Sequence, residues 1–324
     1  MDMPTLVDIQ AAADRIQPYI HRTPVLTSSS INRMVNAQVF FKCENFQKAG
    51  AFKFRGACNA ILSLSPEEAA HGVATHSSGN HAASLSLAAQ MRGLQAFIVM
   101  PRTAPAVKKA AVAGYGGQAV FCEPTLAARE AALADVVAQT GATVIHPYND
   151  QRVIAGQGTA ALELLDEVPD LDILMAPVGG GGLLAGTALA VAGVSPQTRV
   201  IAAEPEGADD ACRSLKEGRI MPSVNPTTIA DGLLTSLGTL TFPIIQQHVD
   251  QIVTVSDAAI IIAMRHIWER MKIVVEPSAA VVLGAVFERK IDLTGQRLGL
   301  ILSGGNVDLD RLPWASPKSL TVTH

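Results

Sequence analysis

Aromatic residues are scarce in this chain of 324 residues, where nine Phe, three Tyr and two Trp make up 4%. Its basic residues form no block and do not interleave with aromatics. A cationic stripe and a stacking platform are what nucleic acid needs, so nucleic acid is not an expected partner. The formal net charge of −4 points the same way. Cysteine is also sparse: Cys43, Cys58, Cys122 and Cys212 show no CxxC or CxxH spacing and lie among apolar or small neighbours. This excludes a disulfide framework and a thiolate metal site, and it reads as reduced, partly buried thiols of a cytoplasmic protein. The opening MDMPTLVDIQ lacks the basic-then-apolar order of a signal peptide. Repeats, low-complexity tracts and charge runs are absent. One uncharged stretch, Ile173 to Thr198, is long enough to suggest a membrane span. Pro177 and the four glycines Gly179 to Gly182 interrupt it, so a strand, a glycine loop and a buried helix are expected instead. No membrane partner is expected, and a small molecule is the expected ligand.

What the chain does have is apolar mass: 48% of residues are apolar and 17% charged, enough for two domains or one large α/β unit. Short apolar runs alternate with Ala-rich stretches of helical spacing. The expected strands are Gln38–Cys43, Gly72–Ser77, Ala96–Pro101, Gln118–Glu123, Thr143–Tyr148, Ile173–Val178, Val200–Pro205, Ile252–Ser256 and Leu298–Ser303. Helical spacing marks Ala82–Ala89, Ala127–Ala138 and Gly158–Leu165. Continuous apolar strands alternating with helices predict α/β architecture with mostly parallel sheets covered on both faces. Ligands then belong at the carboxyl ends of the strands. The ending SPKSLTVTH carries no motif.

Four features fall where chemistry is expected. Lys53 stands between Phe52 and Phe54 in AGAFKFRGA, an apolar collar that can lower an amine's pKa. THSSGNH, Thr75 to His81, opens a helix with hydroxyls and backbone N–H groups suited to a carboxylate. PVGGGGLLAG, Pro177 to Gly186, lets backbone approach a phosphate at a helix N-terminus. LSGGNVD, Leu302 to Asp308, sets the Ser303 hydroxyl at a strand end. Gly180, Gly182 and Ala185 also satisfy GxGxxA, with Glu204 about twenty residues later, so this loop alone leaves an NAD-dependent oxidoreductase open. Taken together, the four features are the parts that hold pyridoxal phosphate: an amine for its aldehyde, a cradle for its phosphate and a partner for its ring nitrogen.

The chain also resembles the fold-type II pyridoxal-phosphate enzymes, whose fold is like that of the tryptophan synthase β subunit. Within them it is similar to the group of serine racemases, serine/threonine dehydratases and 3-hydroxyaspartate dehydratases. TPVLTSSSIN, FFKCENFQKAGAFKFRGA, SSGNH, VIAGQGT, PVGGGGL, AAEPEGADD, TIADG, ERMKIVVEPSAA and LSGGNVD carry the resemblance, in order, along nearly the whole chain. It implies that Lys53 holds the cofactor as a Schiff base and that Phe52 packs against its ring. Asn80 would bond the ring's phenolic oxygen, Gly179, Gly180, Gly181 and Gly182 would bind the phosphate, and Ser303 would face the pyridine nitrogen. Ser77 and Ser78 would take the substrate carboxylate. Ser78 is also a second acid/base group on the face opposite the lysine, which permits racemisation. His76 and Arg129 match positions near the substrate and suit a second carboxylate. EPEGADD aligns with a divalent-cation site, with Glu204, the Ala208 carbonyl and Asp210 as ligands for Mg²⁺, Ca²⁺ or Mn²⁺. Glu276 matches a position near the cofactor, whereas His146 and His266 read as packed side chains.

The implied activity is dehydration of a hydroxy amino acid (3-hydroxyaspartate, serine or threonine) to a 2-oxo acid and ammonia, alongside racemisation of serine or aspartate type. A neutral serine at the ring nitrogen makes a weak electron sink, which favours prompt loss of a β-hydroxyl over transamination. A primary serine racemase, a β-replacing synthase, a non-catalytic binder and the NAD reading are the alternatives. The expected organisation is a large cofactor domain from residues 1–67 and 149–324 with a small mobile domain at 68–148, assembled as a homodimer.

Overall fold

The computed structural model describes residues 3–314, so the ending SPKSLTVTH lies outside the described residues. Its strands are β1 (Val25–Thr27), β2 (Gln38–Cys43), β3 (Val73–His76), β4 (Ala96–Pro101) and β5 (Gln118–Cys122). β6 (Thr143–Val144), β7 (Ile173–Pro177), β8 (Arg199–Pro205), β9 (Gln251–Val255) and β10 (Arg297–Leu302) follow. They form a six-stranded sheet in the order β1-β2-β10-β7-β8-β9 and a four-stranded sheet in the order β5-β4-β3-β6. Every pairing is parallel except β1 with β2.

The reason these strands read as unbroken apolar runs is visible in where alternate residues go. Leu298, Leu300 and Leu302 of β10 pack on one face with the helix Pro277–Phe287, while Ile301 packs on the other with the helices Gln151–Glu167 and Gly182–Val194. β7 divides likewise, with Ile173 and Met175 on one side and Leu174 and Ala176 on the other. Both faces are covered, and each buried Leu or Ile contributes roughly 2 kcal/mol. The stretch Ile173 to Thr198 resolves into β7, a glycine turn and the helix Gly182–Val194.

Two expectations needed correction. The strand expected over Thr143–Tyr148 stops at Val144, because Pro147 has no N–H for a ladder and the chain turns toward the helix at Gln151. β1 was not anticipated: three residues after Pro24 are too few to show a period.

One buried group of charges fixes the helix Lys53–Ser63. The Arg55 guanidinium is wholly buried and donates to Glu44 at 2.7 and 2.9 Å and to Glu163 at 2.7 Å. Lys42, also wholly buried, donates to Glu163 at 2.7 Å. Two cations and two carboxylates balance, and removing one partner would cost about 3–5 kcal/mol. Nearby, a Cβ on Gly156 would lie 2.6 Å from the Gly56 Cα, so the helices Lys53–Ser63 and Gln151–Glu167 meet backbone to backbone. Small residues there bring Lys53 against the loop that precedes Gln151.

Candidate active site

Lys53 opens its helix at the mouth of the large sheet. Its Nζ donates to the Pro147 carbonyl at 2.7 Å and lies 5.2 Å from the centre of the Phe52 ring. Burial pushes its pKa down to about 8. The expected collar is one-sided: Phe54 is wholly buried in the core beside the small sheet. Successive residues of a helix turn by about 100°, so the two phenylalanines serve different neighbours.

The glycine loop is enclosed on two sides. A Cβ on Gly180 would fall 2.3–2.4 Å from the Tyr148 ring, and one on Gly179 would fall 3.0 Å from the Leu233 Cα. Gly181 has φ +88 and caps the helix Gly182–Val194, while Thr241 Oγ1 donates to the Gly180 carbonyl at 2.9 Å. The first N–H groups of that helix have no intrahelical partner and could cradle a phosphate.

SSGNH runs from the end of β3 into the helix Asn80–Met91. Ser77 and Ser78 are half-buried, and the Gly79 N–H donates to Ser77 Oγ at 3.4 Å. Asn80 Nδ2 donates to Glu276 Oε1 at 2.7 Å, and burial followed by the Asp231 charge pushes the Glu276 carboxyl up to about 8. Ser303 is buried, and its carbonyl accepts from the Phe52 N–H at 2.9 Å, which ties the last strand end to the lysine turn.

Three imidazoles gather beside these groups. His146 Nδ1 accepts from the backbone N–H of Asn149 at 2.9 Å and of Tyr148 at 3.3 Å, so its proton sits on Nε2. Burial, then the charges of His76 and Lys53, bring its pKa to about 4, leaving it neutral at physiological pH. His76 meets it edge-on at 5.8 Å, and Tyr148 does so from another direction at 4.6 Å. His81 is buried with Nε2 at 3.2 Å from the Ile145 carbonyl, and its pKa lies well below 6.5, through burial and then Lys53. The His76 pKa is lowered by burial and then by the Arg129 charge, while the Arg129 Nε itself donates to the Thr125 carbonyl at 3.4 Å. Sequence reading set His146 aside as a packed residue and missed Tyr148. The clash of Tyr148 with a side chain at Gly180 shows what sequence hides: residue 148 follows β6 of the small sheet and residue 180 follows β7 of the large one, and only the tertiary structure makes them neighbours. His266 does pack as expected, edge-on to Phe287 at 5.2 Å.

Glu204, at the end of β8, is wholly buried and accepts from the Ala211 and Cys212 N–H groups at 2.9 Å each. Asp210 is also wholly buried, and neither of its carboxylate oxygens has a hydrogen-bond partner among the described residues. Burial pushes their pKa values up to about 8 and about 6. Two buried carboxylates, the Asp210 one without a partner among the described residues, fit a divalent cation, and with the Ala208 carbonyl they offer hard oxygen donors. No three His, Cys, Asp or Glu side chains among the described residues are placed to hold a metal ion together, so backbone oxygen and water would complete such a shell. Glu204 is turned to the helix Asp210–Glu217, where it cannot also serve as the ribose acid of a dinucleotide site.

The pyridoxal-phosphate-dependent enzyme family matches residues 16–304. The chain belongs to that family. The enzyme is 54% identical to the β-hydroxyaspartate dehydratase of Paracoccus denitrificans over 97% of its own length and 100% of that protein's. It is 47% identical to the L-threo-3-hydroxyaspartate ammonia-lyase of Saccharomyces cerevisiae, covering 96% of each chain. Among solved structures it resembles maize serine racemase with a TM-score of 0.93 at 47% identity, covering 95% of each chain. Membership sets the NAD reading aside and bears out the fold-type II architecture and the expectation of pyridoxal phosphate. No helix among the described residues is long and apolar enough to cross a membrane.

Proposed function

We propose that this enzyme dehydrates a β-hydroxy amino acid, with 3-hydroxyaspartate the substrate its site suits best, and releases a 2-oxo acid and ammonia. One observation carries the reading: Lys53, a buried amine with its pKa near 8, donates to the carbonyl of Pro147, the residue between Tyr148 and His146, whose ring meets His76 edge-on at 5.8 Å. An amine poised between charged and neutral forms can bond a carbonyl and then move a proton. The His76 imidazole, and the Arg129 guanidinium whose charge acts on it, suit a second carboxylate, which serine and threonine lack. The Paracoccus and yeast relatives, both named for hydroxyaspartate, support the same choice.

Gly179 to Gly182 and the helix they open hold the phosphate, Phe52 packs the ring, Asn80 bonds its phenolic oxygen and Ser303 faces its nitrogen. Pyridoxal phosphate, when bound, joins an amine as a Schiff base and draws electrons from the substrate Cα. Ser77 and Ser78 seat the α-carboxylate, while His76 and Arg129 seat the β-carboxylate. The Lys53 amine would take the Cα proton and return it to the departing β-hydroxyl, which would leave as water. The resulting enamine becomes an imine, and a second water hydrolyses it to the 2-oxo acid and ammonia. Ser78, on the opposite face, exchanges the Cα proton there and gives a parallel racemase activity. Residues 68–148 act as a small domain that closes over the larger one, residues 1–67 and 149–324. The ion pairs Arg152–Glu68 at 3.7 Å and Lys108–Asp231 at 2.5 Å cross between those segments. Glu204, the Ala208 carbonyl and Asp210 hold Mg²⁺ (or Ca²⁺ or Mn²⁺) away from the reacting atoms, as a structural or activating ion. The enzyme works as a cytoplasmic homodimer, consistent with four free thiols.

The test is the visible spectrum of the purified protein before and after borohydride, with ammonia release measured on 3-hydroxyaspartate, serine and threonine. A band that borohydride fixes to Lys53, absent from Lys53→Ala, is expected, with 3-hydroxyaspartate the best substrate. Arg129→Ala should raise KM for that substrate and leave serine unaffected. A protein that never binds pyridoxal phosphate, or an Arg129→Ala variant equally impaired on serine, overturns the reading.

A further inference from the structure

The turn that delivers Lys53 is strained. Ala49 has φ +56 and Gly50 φ +71, two consecutive left-handed residues of which the first carries a side chain. Such a turn persists only when its surroundings hold it. Three hydrogen bonds from the 303–306 loop do so: Phe52 N–H to the Ser303 carbonyl at 2.9 Å, Gly305 N–H to the Gly50 carbonyl at 2.9 Å, and Asn306 Nδ2 to the Ala49 carbonyl at 2.7 Å. The fit is close, since a Cβ on Gly50 would lie 2.4 Å from Asn306 Oδ1.

The second hydrogen on Asn306 Nδ2 goes elsewhere. It is donated to Asn80 Oδ1 at 3.0 Å, while Asn80 Nδ2 donates to Glu276 Oε1 at 2.7 Å. A carboxamide read by a donor at its oxygen and an acceptor at its nitrogen has a single orientation. Asn80 then keeps one N–H unengaged by these neighbours. Glu276 belongs to the same framework, because its own N–H donates to the Gly304 carbonyl at 3.0 Å.

We propose that Asn306 is a positioning residue that holds the Lys53 turn and, with Glu276, fixes the Asn80 carboxamide so that its free N–H faces the cofactor ring. The second half rests on the pyridoxal-phosphate site proposed above; the first half does not. LSGGNVD thus does more than supply a hydroxyl at a strand end. Its asparagine couples the lysine turn to the residue that contacts the ring.

The test compares Asn306→Asp with Asn306→Ser in the full chain. Asp keeps the size and loses both donated bonds; Ser is smaller and keeps one donor. Space-filling predicts that Asp is the milder change, whereas donation predicts that Ser is. The first readout is hydrogen exchange of the Phe52 and Gly305 amides, with and without pyridoxal phosphate. Asn306→Asp should speed both about tenfold, and Asn306→Ser should lie between it and wild type. The second is the pyridoxal phosphate dissociation constant and the pH midpoint of the visible band. Asp should weaken binding about tenfold and move the midpoint, with little further change in an Asn80→Ala background. Unchanged exchange, or Asp milder than Ser, overturns the positioning of the turn. Losses that add fully to those of Asn80→Ala overturn the coupling to Asn80. A wild-type chain that binds no cofactor refutes the proposed function, and the exchange readout still decides the role of Asn306.

Discussion

Replacing Lys53 with Met should make the cofactor-free protein more stable at neutral pH, and the gain should reverse in alkali. Burial lowers the amine from 10.5 to about 8. At ~1.4 kcal/mol per tenfold change, keeping it charged in the folded state costs ~3 kcal/mol below pH 8. Met removes that charge, and it also removes the 2.7 Å bond to the Pro147 carbonyl, worth about 1 kcal/mol. The net gain is ~2 kcal/mol at pH 7. The sign follows from proton uptake. Between pH 8 and 10.5 the folded amine is already neutral while the unfolded one is still protonated, so wild-type stability rises with pH relative to the variant. Above that window both states are neutral, and the wild type is ahead by the bond Met cannot make, about 1 kcal/mol. Urea unfolding at a series of pH values measures this, followed by the fluorescence of Trp268 and Trp314, whose rings meet edge-on at 5.3 Å. A variant less stable than wild type at pH 7, or a difference that does not change between pH 7 and 10.5, would refute the account of Lys53 as a desolvated amine.

Glu276→Gln should abolish a fall in stability that the wild type shows as pH rises from 4.5 to about 8, because the buried acid stays protonated while the unfolded one ionises. The variant should be ~3 kcal/mol more stable at pH 7 and equal at pH 4, again by urea unfolding. Gly180→Ala drives a methyl into the Tyr148 ring, so pyridoxal phosphate affinity should fall at least tenfold in an absorbance titration, and Tyr148→Ala should restore part of it. Asp210→Asn removes a buried, unpartnered charge. The variant should melt higher than wild type without added metal; added Mg²⁺ should raise the melting temperature of wild type and leave that of the variant unchanged.

Much of this enzyme was legible in the order of its residues. β10 and β7 could be read as buried strands because both of their faces are apolar, and the glycine run announced its turn because only backbone fits beneath the Tyr148 ring. Lys53 could be singled out because an ammonium beside Phe52 has no ordinary surface role. These are local signals, carried by periodicity, backbone freedom and solvation, and they survive without a partner in space.

The remainder is a matter of who meets whom. Sequence could not say that Phe54 turns away into another core, that His146 lies edge-on to His76, or that Tyr148 covers a loop thirty-two residues further on. It could not show that Asn306 reaches both Ala49 and Asn80, residues 257 and 226 positions away. Parallel strands need long crossovers, so the ends that share a site are necessarily far apart in the chain. Local sequence thus determined which groups carry the chemistry, and the winding of the two sheets decided which neighbours set their charge and aim.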